Sequence, residues 1–254
     1  MQMRVDLNAD VGESFGIYKL GLDEQVMGAI TSANIACGFH AGDPMVMKQT
    51  VDLALAHHVG IGAHPGYPDL QGFGRRNMSV KPEEVEVMVI YQVGALKAFV
   101  EGRGARLQHV KAHGSMYNMA AKDRDLADAI AHGVKAAAPE AILLGLANSE
   151  LIRAGKRLGL RVAQEVFADR AYNPDGSLVP RGEPGAMVHD PEIALPRVTR
   201  MVTEGKVTTI TGEDIPLKAD SICVHGDNPK ALRFTREIKE VFNREGIHIQ
   251  PMGA

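Results

Sequence analysis

The sequence predicts an α/β fold, a TIM-like (β/α) barrel of about seven or eight units, and three observations carry that expectation. Short apolar runs alternate with helical stretches along the 254 residues, which implies parallel strands joined by helical crossovers. Nearly every run ends in polar chemistry, as at the C-terminal mouth of a barrel; an open doubly wound sheet would gather such residues at one switch point. The phosphate fingerprints of open sheets are also missing. GIGAHPG (60–66) has Pro65 where a third Gly belongs, and GxxxxGK[ST] does not occur.

Taken in chain order, MRVDLNAD (3–10) opens the series. An extended strand puts Asp6, Asn8 and Asp10 on one face and Val5, Leu7 and Ala9 on the other. The same residues begin like an EF-hand, but that loop needs Gly at its sixth position and Glu at its twelfth, where this chain has Val11 and Ile17. AITSANIACGFHAGD (29–43) is the second strand and its turn, ahead of a helix over 44–57 with Pro44 in its first turn. VGIGAHPGYPD (59–69) is the third, followed by a helix that KPEE opens with Pro and two Glu. RLQHVKAHGSMYN (106–118) precedes an Ala-rich helix over 123–138, and AILLGLANSE (141–150) and LRVAQEVFADR (160–170) continue the alternation. Residues 168–190 are loop-like, rich in Gly, Pro and Asp, and suited to cover a barrel mouth. A helix over 190–205 and a hairpin in KVTTITGEDIPLKAD (206–220) complete a loop and hairpin insertion near 170–217. DSICVHGDNP (220–229) leads into a last helix with a solvated face. No linker interrupts the chain, so residues 1–254 read as one barrel domain.

Composition narrows the function classes. Hydrophobic residues make up 45% and charged residues 23%, with a net charge of -3, which offers no clustered basic surface for nucleic acid. Cys37 and Cys223 lack any CxxC or finger spacing and read as small buried residues. Arg4, Asp6 and Asp10 interrupt any signal-like apolar stretch, and no run reaches the roughly 20 apolar residues of a membrane span. A cytoplasmic protein without membrane or nucleic-acid partners is expected.

The strand-end residues form the candidate site. Asp6, Asn8 and Asp10 would meet His40 and Asp43 after the second strand, His64 and Asp69 after the third, and Lys111 and His113 after the fourth. Glu165 and Asp169 follow the sixth, and His225 and Asp227 complete the ring. Buried carboxylates, imidazoles and an ammonium are costly unless they pair or bind something, so a ring of them drawn from separate strands reads as an active site. Each has a plainer reading as cap, ion-pair partner or satisfied core group; His57, His58, His132 and His248 are assigned no role. LQGFGRR (70–76) is a plain loop or an anion cradle through Arg75 and Arg76. Three histidines and several acids suit a divalent metal, but no HxxxH or HExxH pair demands one.

At these residues the chain resembles a known family. DLNADVGESFG (6–16), SANIACGFHAGDP (32–44), GAHPGYPDLQGFGRR (62–76), VKAHGSMYN (110–118) and ICVHGDNP (222–229) closely resemble the LamB/YcsF family over essentially the whole length. The resemblance implies a distorted barrel of the glycoside hydrolase/deacetylase type. It also implies ATP-coupled opening of 5-oxo-L-proline to L-glutamate, in a complex with the B and C subunits of 5-oxoprolinase. For that reaction Asp10 and His64 are assigned to water activation, and Lys111 and His113 to the lactam oxygen or a phosphate. Asp6, Asn8, His40, Arg75, Arg76, Glu165, Asp169 and His225 are the candidate substrate contacts, Arg75 or Arg76 taking the carboxylate. Two other readings stay open: a stand-alone metal-dependent deacetylase-like hydrolase, and a non-catalytic lactam-binding subunit.

Overall fold

In the computed structural model, residues 3–188, 190–224 and 229–253 are described. The first half runs β1 (Arg4–Val11), α1 (Asp23–Met27), β2 (Ser32–Ala36), α2 (Pro44–Ala56), β3 (Gly60–His64), α3 (Pro82–Glu101), β4 (His109–Lys111), α4 (Gly114–Ala120) and α5 (Arg124–Ala137). The second half runs β5 (Ile142–Leu146), α6 (Glu150–Arg157), β6 (Val162–Phe167), α7 (Pro191–Thr203), β7 (Lys206–Thr208), β8 (Asp214–Pro216), β9 (Ser221–Cys223), α8 (Pro229–Arg244) and β10 (His248–Ile249).

Strands β1 to β6 pair in sequence order, all parallel, and β9 closes the ring by pairing with both β6 and β1. The barrel is therefore closed by seven strands. The short β10 adds only to Arg4 and Val5 at the start of β1. As expected, residues 206–216 form an antiparallel hairpin of β7 and β8, outside the ring. Residues 168–190 carry isolated bridges, Arg170 with Met187 and Tyr172 with Leu178, around a small apolar cluster of Ala171, Val179 and Ala186. The short β10 escaped the sequence reading, and so did two helices. α1 follows a glycine-punctuated stretch, and α4 begins at Gly114 in the left-handed region (φ 54°), directly after the β4 turn.

Helix starts follow local chemistry. Asp43 accepts hydrogen bonds from the Met45 and Val46 backbone amides and caps α2, with Pro44 at the next position. Asp123, Ser149 and Asp190 do the same for α5, α6 and α7.

The apolar core lies between the strands and the helices. Leu7, Ala9, Ile35, Ala63, Val110, Leu143, Val166 and Ile222 are buried there against residues such as Val51, Val89, Leu96, Ile130 and Leu151. Alternation then sends the intervening residues inward, and most of them are polar. Asn34 Nδ2 donates to Asn8 Oδ1 and Asp10 Oδ1 at 2.8 Å each, Asn8 Nδ2 donates to Ser221 Oγ at 2.7 Å, and His109 Nε2 lies 2.6 Å from Asn34 Oδ1. A polar interior is stable only when its groups satisfy one another, and these cross-strand bonds tie β1, β2, β4 and β9 together.

Candidate active site

The strand C-termini open into a cavity of about 920 Å³. Asp10, His64, Lys111, His113 and Arg75, all expected in the site, line it. Alongside them stand residues the sequence reading had not assigned: Glu13, Tyr117, Arg170, Arg181 and Lys122, with Cys223 at the end of β9.

Lys111 is the hub of the floor. Its Nζ lies 2.8 Å from Glu165 Oε1, 3.1 Å from Asp10 Oδ1, 3.1 Å from Asn8 Oδ1 and 3.4 Å from Cys223 Sγ. Glu165 is fully buried and also accepts the Tyr117 hydroxyl at 2.5 Å. Burial alone would lower Lys111, but Asp10 and Glu165 outweigh it and hold the ammonium well above its ordinary range. Burial pushes the Cys223 thiol well up, so it sits beside Lys111 as a neutral group. Asp10 also faces His64 Nε2 at 3.3 Å. Burial would raise Asp10, yet the charges of His64 and Lys111 prevail and keep it ionised, well below the usual carboxylate range.

One side of this floor is an imidazole cluster. His113 Nδ1 lies 2.9 Å from His64 Nε2, and His40 stacks on His113 with centroids 3.6 Å apart and planes at 2°. Glu13 Oε1 lies 3.4 Å from His40 Nε2 and 3.8 Å from His113 Nδ1. Burial, followed by its histidine neighbours, pushes His40 well down, and burial with His64 brings His113 to about 3. Burial and the Asp10 charge push Glu13 well up. Glycines make the room: a Cβ on Gly66 would stand 2.7 Å from His40 Nδ1, and one on Gly74 2.7 Å from His40 Cβ and 2.8 Å from His113 Cδ2. Carboxylate and imidazole donors from Glu13, His40, His64 and His113 all lie within 4.8 Å of one another, a set that could ligate a metal.

Other expectations are corrected. Asp6 does not reach the mouth; it accepts hydrogen bonds from Ser221, Ser32 and Thr31 hydroxyls at 2.5, 2.6 and 2.7 Å, at the opposite end of the barrel. The strand carries it two residue pairs below Asp10, which separates the two carboxylates along the axis. Asn8, His40 and Glu165 lie behind the lining residues and act on them rather than on the cavity. Asp43 is spent on the α2 cap. Arg76 turns away and pairs with Asp69, which also accepts the Gly72 amide at 2.9 Å, so of these two arginines it is Arg75, packed over the Phe73 ring at 4.9 Å, that borders the cavity. Asp169 stands outside the lining. His225 and Asp227 lie outside the described residues.

The missed residues had partial signals. His109 precedes the expected Lys111 and His113 at the same period of two along β4, and Glu13 is the fourth polar member of DLNADVGE, turned inward after Gly12 at φ 68°. Nothing in sequence alone places Tyr117 against Glu165.

Comparison with known proteins agrees with this architecture. The chain is 59% identical over 249 residues to a Clostridium beijerinckii protein named as the A subunit of 5-oxoprolinase, covering 98% of each. It is 57% identical to one of the same name from Pyrococcus horikoshii, again over 98% of each chain. A crystal structure named as a lactam utilization protein from Thermus thermophilus matches with a TM-score of 0.92 and 46% identity, over 98% of this chain and 99% of that one. The catalytic domain of a peptidoglycan N-acetylglucosamine deacetylase from Eubacterium rectale shares the fold alone, with a TM-score of 0.52 at 10% identity over 100% of this chain and 90% of that one. The LamB/YcsF family model matches residues 5–254, and the chain belongs to the LamB/YcsF family.

Proposed function

We propose that this chain binds 5-oxo-L-proline at the barrel mouth and opens its lactam ring to L-glutamate, coupled to ATP hydrolysis in a complex with partner B and C subunits. The observation that carries the reading is the Asp10 and His64 pair facing a cavity whose wall is cationic. Arg75, Lys122, Arg170 and Arg181 all border it. A volume of about 920 Å³ is at the upper end for a small-molecule site, which leaves room for a phosphoryl group or a partner segment beside a five-membered ring.

An unstrained lactam is a poor electrophile, and its opening is uphill without coupling. Phosphorylation of the amide oxygen by ATP opens the ring carbon to water. Water adds there, the ring C–N bond breaks as a proton passes to the nitrogen, and a second water hydrolyses the resulting γ-glutamyl phosphate to L-glutamate and phosphate. In this reading Arg75 takes the substrate carboxylate as a bidentate partner. Asp10, ionised and held by Lys111, Asn34 and His64, orients the attacking water and receives its proton. A weak base is sufficient because the activated carbon is a strong electrophile. His113 presents its edge to the oxygen side, as assigned from sequence, and His64 stays with Asp10 on the water side. Lys111 departs from that assignment: bound by Asp10 and Glu165, it holds Asp10 in place and does not reach out to substrate. The chain has no Walker motif, so the ATP contacts are assigned to the assembled complex.

The test is glutamate and phosphate release from 5-oxoproline and ATP, by this chain alone and with B and C subunits from the same source. Coupled release that appears only in the mixture, and disappears with Asp10→Asn while the circular dichroism stays native, is the expected result. Turnover by the Asp10→Asn variant close to that of the parent removes Asp10 from the mechanism. ATP-independent hydrolysis of N-acyl compounds by the chain alone replaces the reading with a deacetylase-like one, which the imidazole cluster favours.

A further inference from the structure

The hydrogen bonds of His64 and His113 fix their tautomers. His64 Nδ1 is 2.7 Å from the Lys111 carbonyl oxygen, and His113 Nε2 is 2.8 Å from that of Phe73. A carbonyl oxygen has no hydrogen to give, so each of these outer nitrogens carries a proton. A neutral imidazole has only one. With both rings neutral, the two inner nitrogens, His64 Nε2 and His113 Nδ1, face each other at 2.9 Å with bare lone pairs, and the Asp10 carboxylate lies 3.3 Å from His64 Nε2. Two acceptors at that separation repel unless a positive species lies with them.

That species is a proton or a metal ion, and the surroundings favour the metal. His40 brings a third imidazole, its two ring nitrogens buried and without a hydrogen-bond partner, and Glu13 Oε1 beside it is likewise buried without one. Together with His64 and His113 they bring their donor atoms within 4.8 Å of one another, within reach of one ion. Backbone carbonyls on the outer nitrogens are the arrangement that orients metal-bound histidines.

We propose that Glu13, His40, His64 and His113 form a site for a single divalent transition-metal ion of the zinc class, its tautomers preset by the Lys111 and Phe73 carbonyls. Three imidazoles and a carboxylate suit zinc or cobalt, and exclude magnesium or calcium as the preferred ion because those favour oxygen donors. One ion cannot lie in the planes of two parallel rings 3.6 Å apart, so binding turns His40 out of its stack on His113. Bound there, the ion would supply Lewis acidity toward a substrate oxygen. Gly66 and Gly74 leave the space for the rings. The proposal does not depend on the lactam reading, and its test involves neither ATP nor 5-oxoproline.

The experiment starts from the full chain, purified without a histidine tag and stripped with chelator, and titrates Zn²⁺ and Co²⁺ by calorimetry. Co²⁺ absorption reports coordination, and ¹⁵N spectra of the imidazoles report the tautomers. Expected are one ion per chain, a raised Tm, and shifts of His64 Nε2 and His113 Nδ1. Glu13→Gln and His40→Asn, each checked for native circular dichroism, should weaken binding by about 100-fold or more, since even an outer partner of a ligand is worth about 10–100-fold. A folded chain that takes up neither ion overturns the proposal, as does binding that both variants leave untouched. A proton resident on either inner nitrogen near neutral pH, which Zn²⁺ fails to displace, assigns the position to an imidazolium and also overturns it.

Discussion

Asp6 and Asp10 sit four residues apart on one strand face and differ in nearly everything a carboxylate can differ in. Asp10 keeps its charge because Lys111 and His64 stand against it, although burial opposes them. Asp6 has hydroxyls but no cation against it, and burial raises it from 3.8 to about 6, with Ser221, Ser32 and Thr31 offsetting part of the rise and the Glu165 charge adding to it. The folded chain therefore holds a proton on Asp6 that the unfolded chain releases earlier. Its contribution to stability is complete below pH 3.8 and is lost as the pH rises through about 6. The full span corresponds to about 3 kcal/mol, since one pKa unit is worth about 1.4 kcal/mol. Asp6→Asn cannot titrate there. Urea unfolding at pH 4 and pH 7.5 should show the variant gaining stability relative to the parent at the higher pH, by up to that amount. A difference independent of pH would remove the buried-acid description of Asp6. The sequence showed that Asp6, Asn8 and Asp10 share a face. It could not show the depth of each along the barrel axis, because depth depends on register with β2 and β9, a long-range property.

At the scale of elements, the barrel strands, the longer helices between them and the β7–β8 hairpin were legible, whereas the short α1 and α4 were not, because period-two and period-3.6 patterns, caps and turn residues act locally and need length to show. The number of strands closing the ring was not, since closure by β9 onto β1 is a pairing of residues more than 200 positions apart. The turn after β3 shows how a local feature serves a distant one. Gly74 has φ 62°, and its missing side chain leaves space for His40 and His113, which come from two other turns. Gly74→Ala should therefore do two things together. It should destabilise the chain by about 1–3 kcal/mol through overpacking, with a further cost from a left-handed alanine. It should also move the imidazole signals of His40 and His113 while leaving that of the remote His132 unchanged. Loss of stability without any change at the two imidazoles would show that the turn does not support the cluster.

Over the whole molecule, the site is inseparable from what closes the barrel. Asn8 and Asp10 on β1, Lys111 on β4, Glu165 on β6 and Cys223 on β9 converge on one ammonium, so four of the seven strands meet through Lys111. A buried ammonium between two carboxylates is costly to desolvate, and its arrangement stabilises the fold only while all members are present. Lys111→Met would leave Glu165, fully buried, with the Tyr117 hydroxyl but no cation, and should cost about 3–5 kcal/mol in urea unfolding. Glu165→Gln alone removes one charge and leaves Lys111 with Asp10, so its cost should be smaller. The two changes together should cost clearly less than their sum, because each removes the reason the other was destabilising. Equal m-values across the series would show that the denatured state is unchanged and that the comparison is sound. Additive costs would mean that the Lys111 and Glu165 charges are screened from one another despite the 2.8 Å separation, and that the barrel interior is wetter than its burial implies. A coupling of several kcal/mol would place these charges in a dry interior, the environment in which Asp10 is kept ionised and pointed at the cavity.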